Sequence, residues 1–164
     1  MMGILCKKLE ALLLPERSAD DGTRQLEPVA VLQLVHQRIL QLASQIESHA
    51  ELAPYPQVAE RLRKIADEKR DSANRLKEII ENLHGSIKDG SQLPTTGKNH
   101  WQRLNRDLED QRALEDLLSR YEFTLTRQVP GVATFLREFE RMHEAHTRSL
   151  TQLIAVADPQ ANQT

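Results

Sequence analysis

The chemistry this chain could support centres on two histidines three residues apart, His143 and His146, in the stretch Pro130–Ile154. Residues three apart on a helix share one face, so both imidazoles can reach one point, the geometry a metal ion needs. The stretch has a worn copy 74 residues earlier, Pro56–Ile80, in which Lys69 and Ser72 stand where the histidines stand. Two polar residues on an otherwise apolar stripe are unusual, because a buried ammonium needs a partner. An HxxH pair alone is a weak motif, and a buried polar network is the plain structural reading of the same residues.

Four long helices are expected to position these side chains. The first covers about Glu27–Ala50, with Leu32, His36, Ile39, Ala43 and Ile46 in three-four spacing. The turn Ala53-Pro54-Tyr55-Pro56 stops it, since proline cannot continue a helix interior but suits the first turn of the next. Helix two takes about Pro56–Leu83, with Val58, Leu62, Ile65, Leu76, Ile79 and Leu83 inward and His84-Gly85 at its end. Helix three takes about Asn99–Thr126, its core candidates being Trp101, Leu104, Leu108, Leu114, Leu117, Leu118, Tyr121 and Leu125. Helix four runs from Pro130 to about Val156 with Phe135, Leu136, Phe139, Met142, Leu150 and Leu153 inward. Residues 3–13 can form a short helix with Ile4, Leu5, Leu9, Leu12 and Leu13 on one side. This divides the chain into an appendage at 1–25, a bundle at 26–157 and a tail at 158–164.

The polar loop of residues 84–97 is long. Helix two should span roughly 42 Å at 1.5 Å per residue, and fourteen extended residues reach at most about 46–50 Å. The loop is therefore just long enough to return along the whole bundle.

Sliding Val31–Ile80 onto Asn105–Ile154 without a gap gives 11 identities in 50 positions, among them Gln37/Gln111, Leu62/Leu136, Leu76/Leu150 and the turn prolines Pro56/Pro130. Helix periodicity does not predict matched prolines. Two helical hairpins, each covering the other's apolar face, is the expected architecture.

Repeated hairpins joined by a long crossover resemble the ferritin-like superfamily. The residues Ala66–Leu76, ADEKRDSANRL, are similar to the second-helix signature of its rubrerythrin-like branch, in which each hairpin gives one Glu and a Glu-x-x-His pair to two irons. The resemblance covers about residues 28–156 and implies six ligand positions: His36, Lys69 and Ser72 in the first hairpin, and Asp110, His143 and His146 in the second. None of the four glutamates stands at its aligned position, although Glu68 and Glu109 sit one residue away, and Lys69 puts a positive charge where a bridging carboxylate should be. A carboxylate-bridged di-iron centre is therefore not expected.

Two readings follow. In one, the chain is a non-catalytic interaction or scaffold protein, its core polar network of Lys69 and Ser72 closed by a Lys69–Asp110 or Lys69–Glu109 pair. It then needs no cofactor and dimerises through charged faces such as Arg61, Lys64 and Arg75 against Glu115, Asp116 and Glu122. In the other, His36, Asp110 (or Glu109), His143 and His146 hold one Fe, Mn or Zn ion, and the chain is a metal-binding protein or an oxidoreductase.

Composition narrows the rest. The chain has 164 residues, 28% charged, 4% aromatic and 6 glycines, the balance of an all-α protein. A net charge of −2, with acids interleaving every basic residue, gives no field for nucleic acid. Its one cysteine, Cys6, excludes an internal disulfide and Cys-based metal sites. No apolar run approaches the roughly 20 residues of a membrane span. Lysines and Glu10 within the first 15 residues make a poor secretory leader, so a cytoplasmic protein is expected.

Overall fold

The computed structural model describes residues 27–87 and 97–157, among which there are four helices and no strand. They are α1 (Pro28–Glu51), α2 (Pro56–Asn82), α3 (His100–Gln128) and α4 (Val132–Val156). The expected short helix at 3–13 and the tail at 158–164 lie outside the described residues.

Local chemistry sets the ends. Pro28 and Pro56 occupy the first turns of α1 and α2, where a missing N–H costs no bond. The Asn99 side chain accepts from the Gln102 backbone N–H at 2.8 Å and caps α3. At the end of α2 the Gly85 N–H donates to the Ile80 carbonyl and the His84 N–H to Glu81, with His84 at φ 60. That is a Schellman closure with histidine in the left-handed position. Helix α4 starts at Val132 rather than Pro130, because Gly131 takes φ 80 at the cap and breaks the run from the proline.

Each helix packs on two neighbours: α1 on α2 and α3, α4 on α2 and α3. The directions follow from named contacts. Gln33 donates to the Ser86 carbonyl, placing the end of α2 beside the start of α1. Arg103 reaches the Leu52 carbonyl, placing the start of α3 beside the end of α1. On the other side Arg61 meets Gln152, Glu68 meets His146 and Arg75 meets Glu138, so α2 and α4 are antiparallel. Helices α2 and α3 therefore run parallel on one diagonal, and residues 87 and 97 lie at opposite ends of the bundle.

The apolar core contains Leu32, Ile39, Ile46, Leu62, Leu76, Leu104, Phe139 and Leu150, all buried, as periodicity predicts. Trp101, Leu117, Leu118, Tyr121, Ile79, Leu83 and Met142 are half-buried, around its rim.

The register of the two hairpins differs from a gapless repeat. On the second helices, Val58, Leu62, Ile65, Lys69, Ser72 and Leu76 correspond in burial to Val132, Leu136, Phe139, His143, His146 and Leu150, a displacement of 74. On the first helices, Leu32, Val35, His36, Ile39 and Leu42 correspond to Leu104, Asp107, Leu108, Gln111 and Leu114, a displacement of 72. Two residues turn a helix by about 200°, so the partner of His36 in burial is Leu108 rather than Asp110.

Candidate functional site

The polar residues of the core fall into a layer near mid-bundle. Lys69 is its centre: 0% exposed, its ammonium donates to Gln111 Oε1 at 2.6 Å across the α2–α3 diagonal. Gln111 Nε2 passes the chain on to the His143 carbonyl at 3.1 Å, and His143 Nε2–H donates back to the Gln111 carbonyl at 2.8 Å. The carboxylate of Glu68, half-buried, accepts from His146 Nε2–H at 2.7 Å. Ser72 does not join the histidines; its hydroxyl donates to the Glu68 carbonyl at 3.0 Å and lies 3.2 Å from Met142 Sδ.

A second cluster lies one turn away between α1 and α3. Asp107, 0% exposed, accepts from His49 Nδ1 at 2.9 Å and from Gln45 Nε2 at 3.0 Å. Gln45 Nε2 also donates to Asp110 Oδ2 at 2.9 Å, and Asp110 meets Arg106 Nε at 3.2 Å. Arg103 donates to the Gly97 and Leu52 carbonyls, tying the start of α3 to the end of α1.

The two carboxylates named for Lys69 point elsewhere. Glu109 is 68% exposed and pairs with Arg106 at 3.6 Å, and Asp110 is 31% exposed at the edge of the bundle. Lys69 is thus held by a neutral amide, with Asp107 and Glu68 acting on it at longer range. The cause is the register shift: Gln111, not Asp110, is the inward residue of that turn.

Burial dominates the electrostatics. Desolvation lowers the Lys69 pKa to about 7 against the pull of Asp107 and Glu68. Burial, with the Lys69 charge nearby, lowers His143 to about 3, opposed by its backbone bond to Gln111. The same two causes lower His146 to about 4, opposed by Glu68. Burial raises Asp107, opposed by its bonds to His49 and Gln45. Both histidines of α4 are neutral at pH 7, each with Nε2–H donating and a buried Nδ1 lone pair that has no hydrogen-bond partner.

His36, Asp110, His143 and His146 are not brought together. His36 is buried on α1, at the level where Leu34 and Arg38 face Leu117 and Arg120, roughly two turns from Gln111. Asp110 lies on the α1 side of α3, and only the two α4 histidines share a site. Among the described residues, no three His, Cys, Asp or Glu side chains converge in a way that could hold a metal ion.

Sequence reasoning overlooked Gln45, His49, Asp107 and Gln111. A signal for two of them existed. The core candidates Leu104, Leu108, Leu114 and Leu118 by themselves place Asp107 and Gln111 on the inward stripe, and the gapless repeat overrode that phase.

The three basic residues named for a dimer face are engaged within the chain, Lys64 with Glu68 at 3.9 Å. Arg61 donates to Ser149 and Gln152, and Arg75 pairs with Glu138, all on α4. No described helix is long and apolar enough to cross a membrane. No known protein-family model, curated protein or solved structure matches the chain significantly.

Proposed function

We propose that this chain is a non-catalytic bundle of the ferritin-like kind, acting in the cytoplasm through its outer surface, with a second copy as its partner. The observation that carries this reading is Lys69, wholly buried where a bridging carboxylate would stand and bonded to an amide. Support for the architecture comes from the parallel α2–α3 diagonal and from the equal register of α2 and α4, which puts Lys69 and Ser72 opposite His143 and His146.

A di-iron centre does not fit these residues. The unpartnered Nδ1 atoms of His143 and His146 are a feature that would suit a cation. The ammonium of Lys69 lies close enough to lower both their pKa values, and the carboxylate carried over for the second hairpin faces Arg106. Carboxylate bridging needs at least two inward acids at this level. Here the inward positions hold Lys69, Ser72, Gln111 and the two histidines. The layer instead sets which helix faces meet, since half-satisfied alternatives in a low-dielectric core are costly.

The dimer is read by sedimentation velocity over a range of concentrations. A mass near 38 kDa, twice that of one chain at 18.8 kDa, is expected, and a monomer at all concentrations would remove the second copy from this reading.

A further inference from the structure

Helices α1 and α3 are clamped at one end by Arg103 and the His49–Asp107 bond, and between them toward the other end lies an open groove of about 640 Å³. That volume is in the usual range for a small-molecule site. Its lining is mixed, and the mixture has an order along the groove. At the clamped end Gln45 Nε2 donates to Asp110 at 2.9 Å and Asp110 meets Arg106 at 3.2 Å, a closed polar wall. Next come Leu42, Ala113 and Leu114, with Leu34 and Leu117 beyond them. Arg38 stands on the α1 wall and Arg120 on the α3 wall. Because Gln45 meets Asp107 and Asp110, the antiparallel run of the two helices puts these arginines within about a turn of one level. Arg38 makes one long bond, from Nη1 to Gln41 Oε1 at 3.4 Å. Neither it nor Arg120 pairs with a carboxylate among the described residues. With three arginines against Asp110 and Asp116, the lining keeps a surplus of one positive charge.

We propose that this groove binds a small amphipathic monocarboxylate, its head between Arg38 and Arg120 and its aliphatic chain over Leu42 and Leu114 toward Gln45. A guanidinium fork matches a carboxylate in two parallel charge-assisted hydrogen bonds, and two such forks on opposite walls can share one head. A single negative charge matches the surplus on the lining, whereas a phosphate dianion would add repulsion with Asp116. Arg106 is not the anchor, because Asp110 already holds it. From Arg38 to Gln45 the wall is roughly 10 Å long, which suits a chain of medium length and stops a longer one at the polar wall. This goes beyond the reading of the core and does not depend on it.

Octanoate is the probe, titrated calorimetrically into full-length protein below its micellar range, with octanol and octylammonium as the neutral and cationic counterparts. Saturable binding of one octanoate per chain is expected, about tenfold or more tighter than either counterpart. Arg38→Gln with Arg120→Gln should weaken octanoate about tenfold or more. Arg63→Gln with Arg141→Gln removes the same charge from α2 and α4, outside the groove, and should leave binding unchanged. All four arginines are exposed, so neither double variant disturbs the core. Octanol binding as tightly as octanoate, or equal weakening by the two double variants, would overturn the assignment. An absence of saturable octanoate binding would overturn it too.

Discussion

At the scale of single residues, the fold depends on how one ammonium is kept in an apolar core. Lys69 binds fewer protons folded than unfolded, because its pKa falls from 10.5 to about 7. Stability should therefore rise as pH climbs from about 7 towards 10, by up to about 1.4 kcal/mol per pH unit. Urea midpoints across that range should show the slope in the parent and lose it in Lys69→Met; a flat parent curve would contradict the burial. Breaking the pair from its other side is harsher. Gln111→Leu removes the amide that accepts from Lys69 and should cost about 1–3 kcal/mol at pH 6.5, since a lysine with a pKa near 7 can shed its proton, whereas Lys69→Met with Gln111→Leu should be near neutral or stabilising. The histidines act in acid. His143 and His146, lowered to about 3 and 4, are neutral when folded, and the unfolded chain takes their protons first as pH falls below 6.5. Stability should drop between pH 6.5 and 4, and His146→Gln should flatten part of that drop in the same titration.

The residue types of the polar layer were legible in the sequence, and their pairing was not. Lys69 and Ser72 stand out as polar positions on an apolar stripe, and both are buried. Which side chain answers Lys69 depends on the rotation of α3, and one residue separates an inward Gln111 from an edge Asp110. A step of about 100° lies below the precision of an aligned repeat but decides the chemistry completely.

At the scale of elements, boundaries came from turn chemistry. Pro28, Pro56, Asn99 and the His84-Gly85 pair place both ends of α1 and α2 and the start of α3 within one residue of expectation, because each has a local physical cause. Helix α4 is offset by Gly131, whose φ 80 periodicity cannot reveal. Gly131→Ala should destabilise by about 1 kcal/mol, the cost of a Cβ in the left-handed region. Asn99→Ala should cost about 1 kcal/mol through loss of the Gln102 cap. Thermal melts of both variants check this, and an unchanged midpoint for Asn99→Ala would show that the cap is idle. The α1–α3 register, by contrast, is set by how Asp107 meets His49 and Gln45. Those are long-range pairings of three polar residues, and no local pattern announces them.

For the molecule as a whole, loop length and helix direction agree: α2 ends and α3 begins at opposite ends of the bundle, as the reach of residues 84–97 implied. What the proposed function rests on is that the layer around Lys69 substitutes structurally for a metal centre. The decisive test is native mass spectrometry of untagged protein after anaerobic loading with Fe(II), Mn(II) or Zn(II), beside a His143→Ala/His146→Ala variant. No retained ion in either protein is the expected result. One or two ions per chain in the parent, lost in the variant, would contradict that substitution and make His143 and His146 ligands.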